Sequence, residues 1–142
     1  MPANPLSFSG PGEVATPVFT PAPARRVRAL RGATTVDQDD YAQVTTRTIA
    51  LVRAMVKSNS LDHQDIISIL FTATDDIHSM FPATAARQAG FGDVPLLCAR
   101  ELDIDGMQPR CIRALMHVET AAEQLHHVYL EGARGLRDDL PE

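Results

Sequence analysis

The run CIRALMHV, from Cys111 to Val118, places one arginine inside an otherwise mostly apolar segment. If the run is a strand, alternate side chains share a face, so Cys111, Arg113, Leu115 and His117 lie together. Burial cannot discharge a guanidinium, and a buried arginine therefore needs an anionic partner. The run predicts a sheet strand that carries a fixed positive charge on one face.

Apolar periodicity divides the first half of the chain into four elements. A short strand over 27–31 is expected to end at Gly32, and a helix over 34–59 follows it. Thr35 with Gln38 fits a capping box for that helix, with acids in its first turn. The apolar, β-branched run 65–74 predicts a strand. A second helix is expected to start at Pro82 and to end at Gly90, because proline favours the first helical position and glycine the C-terminal cap.

The second half contains more strand signals than helix signals. Residues 94–104 predict a buried strand that passes into polar residues, 105–109 a turn, and 110–120 the arginine-bearing strand. Residues 121–127 predict a short helix, while 128–136 are ambiguous because two glycines weaken either assignment. This order of elements predicts an α/β class of fold, with a mixed α+β sheet covered by helices.

The first 25 residues differ from the rest of the chain. They hold six of the ten prolines and show neither a strand nor a helix period. We expect residues 1–25 to form a flexible proline- and alanine-rich tail, the alternative being an arm docked on the domain or on a neighbouring subunit. Residues 26–142 then form a single domain, which suits a chain of 142 residues.

Composition and motifs exclude several functional classes. The net charge is −5 and the basic residues are scattered, which argues against nucleic acid or anionic lipid as a partner. Cys98 and Cys111 have no zinc spacing, no nucleophile pattern suggests a triad, and no glycine-rich phosphate loop occurs. We therefore expect no metal and no cofactor. No stretch is long enough to span a bilayer and no signal peptide is recognised, so we expect a cytoplasmic protein.

Four features could carry chemistry. They are Arg31 at the end of the first strand, the sequence CARE at 98–101, Arg113, and Arg87 with Phe81. Arg113 and Glu101 could simply form a structural ion pair. If Arg31 and Arg113 face one pocket, however, the positive charge exceeds what Glu101 neutralises. Such a surplus predicts an anionic ligand, with a carboxylate as the best candidate.

Several blocks of the chain together resemble a known family. They are VRALRGATTV, FTATDDIHSMFPATAAR, VPLLCARELDI, RCIRALMHV and HVYLEGARGLRDDL, in this order. This series resembles the monofunctional chorismate mutases of the AroH class, and it covers about residues 27 to 140. The resemblance implies a homotrimer of small pseudo-α/β-barrel subunits, with active sites in clefts between neighbours.

The resemblance also implies the reaction. AroH-class enzymes are isomerases that convert chorismate to prephenate by a Claisen rearrangement, on the route to phenylalanine and tyrosine. The reaction is pericyclic and unimolecular, and it needs no metal, nucleophile or cofactor. The enzyme restrains the substrate in its reactive conformer and stabilises the negative charge that develops on the ether oxygen.

Roles for individual residues follow from matching the family's motifs. The resemblance implies that Arg113 contacts the ether oxygen and a carboxylate, and that Glu101 binds the ring hydroxyl. Cys98 and the neighbouring backbone of Leu97, Ala99 and Arg100 would assist Glu101. Arg31 and Tyr129 would hold the side-chain carboxylate.

The cleft mouth has weaker matches. Arg87 would lie near the cleft entrance, Phe81 would form an apolar wall, and Leu136 and Arg137 would belong to a mobile segment that closes over the site. A close family member can carry lysine after FPA, where this chain has Thr84. Thr84 lowers the positive charge expected there.

Two other classes of protein fit part of this pattern. A trimeric carboxylate-binding protein, either RidA-like or a non-catalytic relative, would also use an interfacial arginine. A purely structural trimer would pair Arg113 with Glu101 alone. The combination of Arg31, the CARE sequence and CIR favours the mutase over both alternatives.

Overall fold

A computed structural model describes residues 17–136. The elements are β1 (Arg26–Thr35), α1 (Tyr41–Ser58), β2 (Ile66–Ala73), α2 (Pro82–Ala86), β3 (Leu96–Arg100), β4 (Cys111–Thr120) and β5 (Val128–Tyr129), with short 3-10 turns at His63–Asp65 and Glu131–Gly135. The five strands form one mixed sheet in the order β3-β2-β4-β1-β5. The predicted mixed α+β class is confirmed.

The predicted tail falls largely outside this description. Residues 1–16 are not described, while residues 17–25 are exposed and belong to no helix or strand. The last of them, Arg25, donates hydrogen bonds to the carboxylates of Asp65 and Glu119. The division into a tail and a domain at residue 25 remains a prediction.

The arginine-bearing strand is confirmed as β4, at the centre of the sheet. It pairs antiparallel with β1 on one side and with β2 on the other. Ile112, Met116 and Val118 are completely buried, whereas the alternate residues from Arg113 onward are partly exposed. One face of β4 therefore belongs to the core, and the other carries the charged side chain.

Helix α1 covers the core face of the sheet with Val44, Thr48, Leu51, Val52 and Met55. The prediction that Gly32 ends β1 is wrong, because the strand continues through it to Thr35. A Cβ atom at Gly32 would lie 2.5 Å from the Met55 sulfur and 2.9 Å from a Leu51 methyl. Glycine at this position therefore permits the close packing of α1 on the strand.

The predicted helix start is also wrong. Asp40, not Thr35, caps α1, and its carboxylate accepts a hydrogen bond from the Gln43 N–H at 2.7 Å. Thr35 is still part of β1, and the acids precede the helix, which has none in its first turn. The Gln43 side chain accepts hydrogen bonds from the N–H groups of Asp37 and Gln38, which fixes the segment before the helix against the first turn of α1.

Proline begins α2 as predicted, but the α-helix ends at Ala86. A π-helical turn follows over Arg87–Phe91, and Gly90 within it has a φ of 102°. The predicted burial of the next strand is wrong, since Leu97 on β3 is 66% exposed. β3 lies at the edge of the described sheet and pairs with β2 alone, and three of its five residues, Leu97, Ala99 and Arg100, are exposed.

The predicted helix over 121–127 is wrong as well, because these residues are irregular. Their backbone groups bond to side chains of other elements instead. Arg28 donates to the carbonyls of Ala122 and Glu123, and the Asn59 side chain exchanges two hydrogen bonds with the backbone of His126. The ambiguous segment that follows is β5, parallel to β1, and then a 3-10 turn.

The two faces of the sheet are covered unequally. Helices α1 and α2 pack with the main core on one face. On the other face a small cluster of Ala33, Cys111 and Ala133, with Tyr129 and Leu136 against it, covers one end. The prediction that helices cover the sheet holds for one face only, and the side chains of Arg31 and Arg113 lie on the less covered face. No helix within residues 17–136 has the length and apolar character that a membrane crossing requires.

Candidate active site

A cavity of about 230 Å³ lies on the less covered face of the sheet. We call it the Arg113 cavity; its lining residues are Arg31, Gly32, Ala33, Leu70, Thr72, Glu101, Arg113, Ala114, Leu115, Tyr129 and Leu136. Four predicted site residues are therefore brought together here: Arg31, Glu101, Arg113 and Tyr129.

Strand register explains how residues distant in sequence meet. Arg113 lies opposite Ala33 of β1 and opposite Thr72 of β2. Arg31 is two residues before Ala33, so the strand alternation directs both to the face that carries Arg113. Glu101 directly follows β3, and its N–H donates to the Ala73 carbonyl at 3.0 Å. The adjacent strands β2, β4 and β1, together with the end of β3, therefore direct these side chains into the Arg113 cavity.

Arg113 and Glu101 form a loose ion pair. The Arg113 Nε atom is 3.5 Å from the Glu101 Oε2 atom, and the two side chains are 43% and 22% exposed. This Nε atom is buried and makes no hydrogen bond with any described residue. Oε2 instead accepts a hydrogen bond of 2.8 Å from the Thr72 hydroxyl. The guanidinium therefore keeps unused capacity for donating hydrogen bonds.

The charge balance of the cavity is positive. Arg31 and Arg113 contribute two cations, and Glu101 is the one carboxylate among the lining residues. The backbone of Arg31 is fixed, because its N–H donates to the His127 Nδ1 atom at 2.9 Å. Beside Arg113, burial raises the pKa of the Cys111 thiol, although a hydrogen bond with Arg113 acts in the opposite direction. This arrangement suits an anionic ligand that also presents a hydroxyl to Glu101.

The remaining predicted residues lie elsewhere. A second cavity, of about 540 Å³, is bounded by the segment 73–82, by α2 and by β3. We call it the Phe81 cavity; it includes Phe81, Thr84, Cys98, Ala99 and Arg100 among its lining residues. Burial raises the pKa of the Cys98 thiol, against smaller effects of the Ala83 N–H and Arg87. Arg100 pairs with Asp75 at 3.1 Å.

The two cavities share no lining residue. Cys98 lies opposite Phe71 and packs against the main core, whereas the next residue of β2, Thr72, faces the Arg113 cavity. Leu97 and Arg87 line neither cavity. Within one chain, Cys98 and Glu101 therefore face different spaces, although the sequence grouped them together.

Two residues in direct contact with the predicted site were missed. Thr72 was counted as part of an apolar strand, and His127 as one of several scattered histidines. The position of Thr72 opposite Arg113 becomes visible only when the register of β2 and β4 is known. The described residues contain no group of three or more histidine, cysteine or acidic side chains that could hold a metal ion.

Comparison with known proteins identifies the family of the chain. The family model described as chorismate mutase type I matches residues 27–140. The chorismate mutase AroH of Bacillus subtilis is 38% identical over 117 residues, which cover 80% of this chain and 92% of that protein. The chorismate mutase AroH of Thermus thermophilus is 42% identical over 117 residues, covering 80% and 96%.

A solved structure is similar as well. The chorismate mutase from Clostridium thermocellum superposes with a TM-score of 0.73 at 42% identity, covering 75% of this chain and 97% of that one. Both the sequence blocks and the arrangement of the sheet are thus shared with enzymes of one kind. The chain belongs to the type I, AroH-class, chorismate mutases, and it is an isomerase.

Proposed function

We propose that this chain converts chorismate to prephenate in the Arg113 cavity. The observation that supports this location best is the buried Arg113 Nε, which has no hydrogen-bond partner among the described residues although Glu101 is nearby. A structural ion pair would use the guanidinium fully, because paired arginines favour two parallel hydrogen bonds to one carboxylate. Arg113 is instead placed beside Glu101 with donor capacity left for a ligand.

The rearrangement breaks the ether C–O bond as a new C–C bond forms within the same molecule. No proton, electron or leaving group passes to the protein. In the transition state the ether oxygen gains negative charge, and the Arg113 guanidinium stabilises it without reorganising, because β4 fixes its position. Arg31 and Tyr129 hold the side-chain carboxylate, and Glu101 accepts a hydrogen bond from the ring hydroxyl. These contacts select the compact reactive conformer.

We further propose that the active enzyme is a homotrimer with its sites between subunits. The Arg113 cavity, at about 230 Å³, is smaller than the ~300–1,000 Å³ of ordinary ligand pockets. The Phe81 cavity lies elsewhere on the same chain and shares no residue with it. If a neighbouring subunit places its Phe81 cavity against the Arg113 cavity, both sets of predicted residues surround one substrate.

The exposed side chains support such an interface. Phe81 and Leu97 are 68% and 66% exposed in the single chain, and Leu102 and Ile104 are also exposed. Phe81 directly precedes α2, Leu97 lies on the edge strand β3, and Leu102 and Ile104 follow that strand. A neighbour would cover these apolar side chains. We also propose that the enzyme acts in the cytoplasm and that residues 26–142 suffice for activity. Removal of residues 1–24 is then expected to leave the turnover unchanged.

The loss of chorismate absorbance tests the activity. Purified protein, without added metal or cofactor, is expected to consume chorismate and to yield prephenate. A folded protein that binds chorismate without converting it would contradict the proposed reaction and would favour a carboxylate-binding relative.

Mixing two variants tests where the site is built. Arg113→Ala alters the Arg113 cavity, and Thr84→Glu places a repelling charge in the Phe81 cavity. At low chorismate concentration each variant alone is expected to be less active than wild type, Arg113→Ala much more so than Thr84→Glu. If sites form between subunits, mixed trimers contain some sites with both cavities intact, and activity reappears after co-refolding. Activity that stays at the average of the two variants would show that each site is built within one chain.

A further inference from the structure

We infer that Thr72 is a positioning residue that keeps Glu101 and Arg113 apart as separate binding groups. Its hydroxyl donates to Glu101 Oε2 at 2.8 Å, and the Arg113 Nε approaches the same oxygen at 3.5 Å. Both contacts use Oε2, which assigns Oε1 to the hydroxyl of the substrate. The inference rests on the proposed role of Glu101 and adds what fixes its orientation.

Strand β2 holds Glu101 at two points. The Ala73 carbonyl accepts the Glu101 N–H, and the Thr72 hydroxyl holds the carboxylate. Thr72 and Ala73 are adjacent residues on a strand that is paired on both sides, with β3 and β4. A backbone anchor and a side-chain anchor from consecutive residues restrict both the position and the rotation of the carboxylate. This is the support that a binding group needs if its geometry is to survive in an open cavity.

The hydroxyl also prevents a competing arrangement. An arginine and a carboxylate at this distance favour a bidentate pair with two N–H···O bonds of about 2.7–2.9 Å. Such a pair would neutralise Arg113 and withdraw it from the ether oxygen. Thr72 occupies Oε2 and holds the carboxylate at a single, longer contact with Nε. The Arg113 charge therefore remains available to the substrate, because the neutral Thr72 hydroxyl satisfies part of the hydrogen-bonding capacity of the Glu101 carboxylate.

Replacement of the hydroxyl alone tests the inference. Thr72→Val keeps the shape and the strand preference but removes the donor, and Thr72→Ser keeps the donor. A hydrogen bond to a charged group is worth about 1.5–3 kcal/mol, so kcat/KM for chorismate is expected to fall roughly 10-fold or more in the valine variant. Because Arg113 becomes paired, kcat should fall as well as KM rise. Thr72→Ser should restore kcat to within about 3-fold of wild type, since it restores that bond.

A matched control lies on the same strand and face. The Ser68 hydroxyl is 3.4 Å from the His117 Nδ1 atom and has no contact with Glu101. Ser68→Ala is expected to leave kcat unchanged. If it lowers kcat as much as Thr72→Val does, loss of any hydroxyl on this face is harmful and the inference is wrong. Circular dichroism and thermal unfolding establish that each variant folds, and Thr72→Ala replaces Thr72→Val if the latter does not fold.

Combining variants separates this inference from the proposed function. Glu101→Gln is expected to lower activity strongly, and adding Thr72→Val to it should cause little further loss, because Thr72 acts through the carboxylate. Independent, multiplying losses would overturn the positioning role, as would a fully active Thr72→Val. If Glu101→Gln itself retained normal activity, the proposed role of Glu101 would fail instead.

Discussion

The Arg113 cavity and the Phe81 cavity are built by different means. The first is formed mainly by paired strands, and its charged and hydroxyl groups are fixed by cross-strand register. The second is bounded by the connection 74–81, by the short helix α2 and by an edge strand. In the proposed function, rigid strands hold the groups whose position decides the reaction rate, and a loop and a sheet edge supply apolar walls. The proposal therefore assigns the chemistry and the enclosure of the substrate to separate parts of this chain.

The two cavities also differ in electrostatics. Arg113 is next to Glu101 but not fully used by it, whereas the arginine of the Phe81 cavity, Arg100, is paired with Asp75 at 3.1 Å. A paired, exposed arginine contributes little field to a ligand, while a partly buried guanidinium with spare donors contributes much. Substitutions in the first cavity should therefore affect catalysis more than substitutions in the second.

The largest expected effect follows from Arg113. Arg113→Ala removes the charge at the ether oxygen, and loss of one such transition-state contact costs about 10²–10³-fold in kcat. Arg113→Lys keeps the charge but loses the planar fork, so it should also lower kcat far more than it lowers stability. Steady-state kinetics and thermal unfolding give both quantities. The control is Arg53→Ala on the exposed side of α1. A near-normal kcat for Arg113→Lys would contradict the electrostatic role.

A smaller effect is expected at Arg31. Its proposed partner is a carboxylate distant from the breaking bond, so Arg31→Ala should act mainly on binding. A charged hydrogen bond of about 1.5–3 kcal/mol corresponds to roughly a 10–100-fold rise in KM, with a smaller change in kcat. Arg26→Ala, an exposed arginine at the far end of β1, should leave KM unchanged. If Arg31→Ala lowers kcat with KM constant, Arg31 acts in the chemical step, and its proposed role in substrate binding is wrong.

The strands of the Arg113 cavity were the most predictable part of the chain. An apolar, β-branched run predicted β2 and an apolar run with one arginine predicted β4, and an anionic ligand was expected if Arg31 and Arg113 faced one pocket. What could not be predicted was the convergence itself, because it depends on the register of three strands. The sequence resemblance identified Arg31, Glu101 and Arg113 together, but neither periodicity nor composition indicated that Thr72 lies beside them.

Three of the errors in the fold have a common physical cause. Gly32 appeared to end a strand, but the close approach of Met55 explains the glycine. Residues 121–127 appeared helical, but side chains of Arg28 and Asn59 satisfy their backbone groups without a helix. The burial of β3 was overestimated because an exposed apolar edge and a buried strand have the same composition. The packing of α1, two side-chain hydrogen bonds and the edge position of β3 beside β2 all involve residues far away in sequence.

A third prediction concerns the wall of the Phe81 cavity. Asp39 accepts hydrogen bonds from the N–H groups of His78 and Ser79, two lining residues, at 2.8 and 3.1 Å. Partial burial acts to raise the pKa of Asp39, but the hydrogen bonds from Ser79 and His78 outweigh it, and the pKa is lowered from 3.8. A lowered folded-state pKa means that the stabilisation is complete above the unfolded value and is lost as the pH falls through the folded value.

Asp39→Asn should therefore destabilise the protein at neutral pH, by about 1 kcal/mol for partly exposed hydrogen bonds to a charge. The difference from wild type should shrink as the pH falls below the ordinary range of an aspartate, because the wild-type carboxylate becomes protonated as the pH falls through its lowered pKa. Thermal unfolding at neutral and at acidic pH measures this difference. A penalty that does not change with pH would show that the loop is held by geometry rather than by the charge.

The smallest expected effect sharpens the contrast between the two cavities. Thr84 lines the Phe81 cavity on α2, at a position where a lysine would add positive charge near the proposed cleft mouth. Thr84→Lys should lower KM for the dicarboxylate substrate without changing kcat, because it adds attraction but does not reach the ether oxygen. An exposed charge contributes about 0.2–1 kcal/mol, which corresponds to a gain of up to roughly 5-fold.

Ionic strength distinguishes attraction from a change in shape. At 1 M salt the screening length falls to about 3 Å, so the advantage of Thr84→Lys should largely disappear. Thr84→Gln has a long polar side chain without the charge, and its KM should match that of wild type at all salt concentrations. An equal gain in the glutamine variant, or a gain that persists in high salt, would mean that the Phe81 cavity influences binding through its shape alone. A change in kcat would mean that it takes part in the chemical step, and the division between a reacting cavity and an enclosing one would no longer hold.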